Sequence, residues 1–324
     1  MFIFMQINYL MRVEMNKFDR IIKEVGKVII GKEESIRKIL FALLINGNVL
    51  IEDIPGTGKT TLVKTFSKVL QVKSKRIQMT SDTLPSDITG FSIYDRESGG
   101  FKFLKGPVFC NLLLADELNR TSGRTQSALL EAMEEHQVTV DGKTYILGNP
   151  FSVIATQNPF GYVGTQHLPQ AQEDRFDLKI SIGYPNKQQE IDMLVNRMNC
   201  NPLDKADSFL SKIDFIEMQN QVKNVYVSSD IAEYIVNLIT ETRHSELIES
   251  GASPRVTVSV MKLSKAVAFS HNRDFVVPDD IVEVFVSAVG HRMTVKKKYS
   301  ETMSSEKIAE KIISSVKKPG VNND

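Results

Sequence analysis

The chain has 324 residues, of which 42% are hydrophobic and 24% charged, the balance of a folded protein with a sizeable core. Its 40 basic and 39 acidic residues leave a formal net charge of +1, so no global field draws it to nucleic acid or to a membrane surface. The two cysteines, Cys110 and Cys200, match no metal-ligand spacing and indicate buried free thiols in a reducing compartment. We therefore predict a cytoplasmic protein.

The first fifteen residues are apolar but do not resemble a targeting segment. They lack a basic start, are interrupted by Gln6 and Asn8, and contain no small-residue cleavage site. The stretch is also too short to span a membrane. Because a helical pattern begins just after Met15, we expect residues 1–15 to be disordered or to precede the true start.

Strand-like and helical segments then alternate. Residues 16–46 have helical spacing that breaks near Gly31, and a strand (NVLIED), a Gly-rich loop and a helix (TTLVKTFSKVL) follow in that order. Aromatic alternation around Gly99-Gly100 and a turn at Asp141-Gly142 predict two hairpins. The apolar runs VFCNLLLADE, PFSVIATQNP and LKISIGYP predict buried parallel strands, with RTQSALLEAMEEHQ as a helix among them.

Beyond Pro185 the strand-like runs fade. Helical periodicity dominates in QQEIDMLVNRM, SDIAEYIVNLITETR, VTVSVMKLSKAVAFS and DDIVEVFVSAVGHR. This change favours an α/β nucleotide-binding domain over residues 16–185 and a helical domain over residues 186–324, joined near Tyr184-Pro185. One continuous α/β domain is the alternative.

The stretch LIEDIPGTGKTT predicts a phosphate-binding loop. Gly56 and Gly58 let backbone N–H groups approach phosphate, Lys59 supplies a positive charge, and the Thr60 hydroxyl suits Mg²⁺. The usual pattern begins with Gly where this chain has Asp53. Asp tolerates a left-handed backbone, and its carboxylate need only point away from the phosphates. We expect Asp53→Gly to leave nucleotide binding largely intact and Lys59→Ala to abolish it.

Two further predicted strands end in polar groups. LLLADE ends in Asp116 and Glu117, of which the first can hold Mg²⁺ and the second can orient and deprotonate an attacking water. VIATQNP carries Asn158, whose neutral amide can position that water or contact a γ-phosphate. Each pattern alone is also an ordinary turn. Downstream of a phosphate-binding loop, they predict a site for nucleotide hydrolysis.

Two arginines are candidates for the same chemistry. Arg175, in QEDRFDLKI, predicts a catalytic arginine presented to a neighbouring subunit, or else a surface pair with Asp174. In GASPRVTV, Ser253 can cap a helix whose first position is Pro254. That places Arg255 in the first turn, where an anion such as γ-phosphate would offset the unfavourable helix dipole. A tolerated surface arginine is the alternative.

Together these motifs resemble the AAA+ ATPases, and their amino-acid sequences most resemble those of the MoxR family. The resemblance covers roughly residues 25–292. It is carried by EDIPGTGKTTLVK, LPSDITG, FKFLKGPVFCNLLLADELNRTSGRTQSALLEAMEEHQVTVDG, FSVIATQNP, QAQEDRFDLKISIGYP, GASPR and RDFVVPDDI. It implies an α/β fold, namely an AAA+ αβα sandwich with a parallel sheet plus a C-terminal helical lid domain, with the nucleotide between them.

The resemblance also implies ATP and Mg²⁺ as ligands and a role for each motif residue. The Walker A residues would be Gly56, Thr57, Gly58, Lys59, Thr60 and Thr61; the Walker B residues Asp116 and Glu117; the metal ligands Thr60 and Asp116; sensor 1 Asn158; the arginine finger Arg175; and sensor 2 Arg255. Gly31 lies in VIIGKEES, which resembles the segment near adenine. Departures from the family wording in HLPQAQEDRFD and DELNRTSGRT fall at the expected subunit interface. Arg124 and Arg120 are therefore rival arginines for a role in trans.

By the same resemblance, the chain would form a homo-oligomer, a hexameric ring, that couples ATP hydrolysis to remodelling or maturation of a partner. Such partners often contain a von Willebrand A domain or a metal centre. The alternatives are a nucleic-acid motor, since helicase-type AAA+ proteins share the DRFD arrangement, and a nucleotide-gated scaffold with little turnover. The near-neutral charge disfavours the first alternative, and Glu117 disfavours the second.

Overall fold

A parallel sheet forms the centre of the amino-terminal part of the chain. The computed structural model describes residues 16–54, 56–97, 99–158, 168–199 and 201–320. Within these residues lie five parallel strands: β1 (Val49–Glu52), β2 (Ser74–Gln78), β5 (Leu112–Asp116), β8 (Ser152–Gln157) and β9 (Leu178–Ile180). They pair in the order β2-β5-β8-β1-β9.

Helices and two antiparallel hairpins connect these strands. The hairpins are β3 (Gly90–Asp95) with β4 (Gly100–Lys105), and β6 (Gln137–Val140) with β7 (Lys143–Ile146). The helices of this part are α1 (Lys17–Gly26), α2 (Glu33–Leu44), α3 (Lys59–Val69), α4 (Pro85–Thr89), α5 (Gly123–Glu135) and α6 (Gln170–Glu173). The structure thus confirms the predicted break near Gly31, both hairpins and the buried strands.

The sheet has an apolar layer on each face because successive side chains along a strand point to opposite sides. Val49 and Ile51 join a core with α1, α2 and α3, whereas Leu50 between them joins a second core that contains Leu129 and Met133 of α5. The described residues therefore form the three-layered αβα sandwich that the family resemblance implies.

The carboxy-terminal part is mainly helical and packs against the first of these cores. Its helices are α7 (Lys187–Asn199), α8 (Lys212–Asn224), α9 (Ser229–His244), α10 (Pro254–Ser270), α11 (Pro278–Val289) and α12 (Ser305–Ser315). It also contains a short antiparallel ribbon of β10 (Ile248–Ser250) and β11 (Thr294–Val295), which helical periodicity did not predict. The side-chain amide of Gln219 donates to the carbonyl of Leu43 over 2.7 Å, joining the two parts.

Three predictions about single features have different outcomes. Cys110 is buried, and burial raises the pKa of its thiol to about 11. Cys200 and residues 1–15 lie outside the described residues, and the boundary near Tyr184-Pro185 remains a prediction.

Across the ranges that the structure describes, we find no helix with the length and apolar character needed to cross a bilayer.

Candidate functional site: the phosphate-binding loop

The loop between β1 and α3 has the backbone shape that phosphate binding requires. Gly56 and Gly58 have φ angles of +89° and +87°, values at which other residues are strained. A Cβ atom at either glycine would meet nothing within 4 Å, so the space above the loop is open. In the described part of the chain no side chain caps the first turn of α3. Its N–H groups and helix dipole are therefore available to an anion.

Lys59 lies inside this loop. Its ammonium group donates to the carbonyl oxygens of Asp53 and Ile54 over 2.9 and 3.1 Å. Burial lowers the pKa of Lys59 below its ordinary value, and the carboxylates of Asp53, Asp116 and Glu117 offset only part of that effect. Two carbonyl oxygens thus hold the charge where a phosphate oxygen can replace them.

The first of the two acids, Asp116, uses both carboxylate oxygens. Arg76 on the edge strand β2 donates to Oδ2 over 2.7 and 3.2 Å, and the hydroxyl of Thr156 donates to Oδ1 over 2.6 Å. The Thr156 oxygen in turn accepts the backbone N–H of Glu117 over 2.9 Å. One buried hydroxyl on β8 therefore positions both acids at the end of β5.

The second acid, Glu117, has a left-handed backbone conformation with φ +58°. Its carboxylate accepts a hydrogen bond from the guanidinium of Arg120 over 2.7 Å. Nearby, Asn119 fixes the backbone of Asn158, donating to its carbonyl over 3.2 Å and accepting from its N–H over 3.4 Å. Asn158 also lines the cavity above the loop.

These groups meet in one cavity of about 290 Å³. It is lined by Gly56, Gly58, Lys59, Thr60, Arg76, Gln78, Asp116, Glu117 and Asn158. Thr57 and Thr61 belong to the same loop and helix start. The cavity thus brings together the phosphate loop, the acidic pair and the strand-end asparagine.

The oxygen ligands in this cavity would form a Mg²⁺ site only together with the phosphates of a nucleotide. Thr60 offers a hydroxyl and Asp116 a carboxylate, the oxygen ligands that this cation prefers. Among the described residues, no group of three or more His, Cys, Asp or Glu side chains could hold a metal ion. Phosphate oxygens would have to complete the coordination, as they commonly do for Mg²⁺.

The structure does not bring Arg175 and Arg255 to this cavity. Both form ion pairs with the carboxylate of Glu134 at the end of α5. The alternative considered for Arg175, a surface pair with Asp174, is not found among the described residues, since Arg175 pairs with Glu134 instead. The anion facing Arg255 within the chain is likewise Glu134.

The two arginines lie at the edge of the sheet opposite the phosphate loop. The carboxylate of Asp177, just before β9, accepts the N–H of Asn48 over 2.9 Å, and Asn48 directly precedes β1. The phosphate loop follows the other end of β1, which is four residues or about 13 Å long. Arg175 and Arg255 line a separate cavity of about 320 Å³ at the amino edge, together with Asn48 and Asp177.

Ser253 differs from its predicted role as a helix cap. It does occupy the position before Pro254 at the start of α10, but its hydroxyl does not cap the helix. It donates instead to the carboxylate of Asp174 over 3.1 and 3.3 Å. This charge-assisted hydrogen bond orients the hydroxyl toward Asp174 and away from the N–H groups of the first turn.

Three remaining candidates are not among the described residues that line the phosphate cavity: Gly31, Arg124 and Arg120. Gly31, with φ +69°, accepts a hydrogen bond at its carbonyl from Gln189 of α7, and a Cβ atom there would overlap that amide. Arg124 is exposed in the first turn of α5. Arg120 is engaged by Glu117 of the same chain, so any role in trans requires it to leave that carboxylate.

Four residues at the site did not emerge from the sequence: Arg76, Gln78, Asn119 and Thr156. Arg76 and Gln78 lie on β2, whose sequence SKRIQ is too polar to predict a strand. Asn119 lies two residues after Glu117, and Thr156 lies two residues before Asn158. For Asn119 and Thr156, the available signal was their position beside the acidic pair and the strand-end asparagine.

Comparison with known proteins agrees with this geometry. Residues 48–178 match the ATPase family associated with various cellular activities (AAA), and residues 240–312 match the AAA lid domain. The uncharacterised protein YeaC of Bacillus subtilis is 44% identical over 92% of this chain and 93% of its own length.

A named relative and a solved structure extend the match. A crystal structure of a proposed ATPase from Cytophaga hutchinsonii superposes with a TM-score of 0.87 at 40% identity, covering 94% of this chain and 95% of that one. Chaperone MoxR1 of Mycobacterium tuberculosis is 36% identical over 95% of this chain and 84% of its own length. The chain belongs to the MoxR family of AAA+ ATPases.

Proposed function

We propose that this chain hydrolyses ATP to ADP and phosphate in a ring of identical subunits and uses that reaction to remodel or mature partner proteins. The open loop at Gly56 and Gly58, the buried Lys59 and the acidic pair in one cavity support the hydrolytic part. Membership of an ATPase family supports it independently.

The residues of the cavity have separate tasks in this reaction. The N–H groups of the loop and Lys59 bind the phosphates, with Lys59 moving from two carbonyl oxygens to phosphate oxygens. Once Arg120 no longer pairs with the Glu117 carboxylate, that carboxylate accepts a proton from the attacking water. The Asn158 amide orients the same water. When bound, Mg²⁺ would supply positive charge against the phosphate oxygens, with Thr60 and Asp116 as its protein ligands.

The observation that carries the ring is the position of Arg175 and Arg255. Because they lie at the sheet edge opposite their own phosphate loop, they can offset transition-state charge only on a nucleotide held by another copy. In the isolated chain both guanidinium groups pair with the single carboxylate of Glu134. We expect a hexamer in which this arginine cluster of one subunit faces the phosphate cavity of the next.

The chaperone name of one relative supports a role on partner proteins. By family resemblance, we propose a partner with a von Willebrand A domain. The net charge of +1 gives no support to a nucleic-acid partner.

The test is the ATPase rate per chain measured across protein concentrations. We expect the rate to rise steeply as the chain assembles and to fall about 10³-fold in Arg175→Ala, since such arginines contribute that much or more. Arg96→Ala removes an exposed arginine from the β3–β4 hairpin and should behave like wild type. A rate per chain that is independent of concentration and unchanged in Arg175→Ala would refute the ring. Stimulation by DNA with a steep salt dependence would indicate a nucleic-acid motor instead.

A further inference from the structure

Asp53 directly precedes the phosphate loop, and its carboxylate points away from it. The side chain is buried and accepts three hydrogen bonds from the segment that follows β9. The donors are the hydroxyl of Ser181 at 2.8 Å, the N–H of Ile182 at 2.6 Å and the N–H of Gly183 at 3.1 Å. Successive backbone N–H groups that converge on one carboxylate form an anion-binding nest.

The nest depends on the backbone of Gly183. Its φ angle of +67° is left-handed and lets its N–H group join that of Ile182 on the same carboxylate. A Cβ atom at Gly183 would meet nothing within 4 Å. The glycine is therefore required for its backbone conformation and not for lack of space.

The segment that Asp53 holds is the connection to the helical lid, whose first helix α7 begins at Lys187. The same connection is attached to the segment before α2 and to α2 itself. Lys32 donates to the carbonyl of Tyr184 over 2.9 Å, and the Ser35 hydroxyl donates to the carbonyl of Ser181 over 3.4 Å. A few polar contacts thus determine where the lid starts relative to the sheet.

The other polar groups of Asp53 face the nucleotide site. Its N–H donates to the carbonyl of Gln157 on β8 over 3.2 Å, next to Asn158. Its carbonyl accepts the Lys59 ammonium over 2.9 Å. One residue therefore contacts the strand that leads to Asn158, the phosphate-binding lysine and the lid connection.

We propose that Asp53 is a positioning residue that couples the phosphate loop to the lid through Ser181, Ile182 and Gly183. This inference rests on the proposed nucleotide site. It gives a reason for an acid where the usual loop has glycine, because glycine would leave the three donors without an acceptor. It also replaces the expectation that Asp53→Gly spares ATP binding.

Asp53→Asn is the sharpest substitution because the shape is kept. One carboxylate oxygen becomes an NH₂ group, so one backbone N–H would face a donor instead of an acceptor. Losing a buried hydrogen bond to a charged group destabilises the arrangement of loop and lid connection that Asp53 holds. The loss corresponds to an affinity for ATP that is about tenfold lower. We expect the KM for ATP to rise about tenfold with a smaller change in kcat, and Ser181→Ala to have a smaller effect in the same direction.

A glycine pair provides a matched comparison that leaves Asp53 in place. Gly183→Ala strains the nest, whereas Gly142→Ala imposes the same kind of strain at φ +73° in the β6–β7 turn, again with nothing within 4 Å. We expect Gly183→Ala, but not Gly142→Ala, to reproduce the rise in KM. Both variants keep the carboxylate, so the comparison stands even if Asp53→Asn does not fold.

Hydrogen exchange read by mass spectrometry supplies a measurement independent of activity. In the wild type, a non-hydrolysable ATP analogue should slow exchange in the peptide that contains residues 181–189. In Asp53→Asn and Gly183→Ala, exchange there should be faster without nucleotide, and the response to the analogue should be lost.

The outcomes separate this inference from the proposed function. If the wild type binds no ATP, or Lys59→Ala binds it equally well, the proposed function fails. If the wild type binds ATP and Lys59→Ala does not, yet Asp53→Asn and Gly183→Ala match the wild type in KM and in exchange, the coupling by Asp53 is refuted and the ATPase assignment stands.

Discussion

Thr156→Val tests how the two acids of the site are held. The Thr156 hydroxyl is buried, donates to Asp116 over 2.6 Å and accepts the N–H of Glu117 over 2.9 Å. Valine has nearly the same shape but no hydroxyl, so the change removes both hydrogen bonds without opening a cavity. It leaves the Glu117 N–H without its acceptor, which costs about 1–3 kcal/mol of unfolding free energy.

The same change should disturb catalysis more than binding. Small misplacements of catalytic groups lower rates by up to about 100-fold, so we expect kcat to fall about 10–100-fold while affinity for ATP changes little. Stability is measured by urea unfolding followed by circular dichroism, and kcat by phosphate release. Thr156→Ser keeps the hydroxyl and should recover most of the rate. A Thr156→Val protein with wild-type stability and kcat would refute this reasoning.

Three further predictions concern single groups away from the nucleotide. Burial holds the pKa of His291 well below its ordinary value, so the unfolded chain binds more protons than the folded one below about pH 6.5. Stability should therefore fall as the pH drops from 6.5, by up to about 1.4 kcal/mol per unit, and His291→Gln should lack this contribution in urea titrations at several pH values. In a Cys200→Ser variant, Cys110, with its pKa raised to about 11, should react with a thiol reagent at pH 8 only after denaturation; rapid reaction of the native protein would contradict its burial. Gly90→Ala should destabilise the β3–β4 hairpin by more than about 2 kcal/mol, because at φ +96° its Cβ would overlap a backbone carbonyl of β4. Gly99→Ala, with φ +65° and open space, should cost less, and equal effects of the two in urea unfolding would disprove the steric argument.

Much of the fold was predictable because its signals are local. Glycines before a helix, an apolar strand that ends in Asp116 and Glu117, and an Asp-Gly turn each act within a few residues. The edge strand β2 was missed since its exposed, polar sequence has no hydrophobic period. The loss of strand-like runs after Pro185 predicted the helical lid but not the two-stranded ribbon β10–β11.

The site divides along the same line. The residues that we propose to bind or react lie in contiguous motifs, whereas Arg76 and Thr156 contact Asp116 from the neighbouring strands β2 and β8. The partners of Arg175 and Arg255 depend on how α5 packs beside α10, which the sequence alone does not reveal. Asp53 was read correctly as pointing away from phosphate, but its three donors lie about 130 residues further along the chain.

The central claim is that one subunit's arginines act on the nucleotide of the next. The most direct measurement mixes two inactive proteins, Lys59→Ala, which lacks a working phosphate loop, and the double variant Arg175→Ala/Arg255→Ala, which lacks the arginines. We predict that the mixture hydrolyses ATP well above the sum of the two alone, because some loops of the double variant would then face intact arginines. A mixture that never exceeds that sum, although the two proteins co-assemble, would contradict the account.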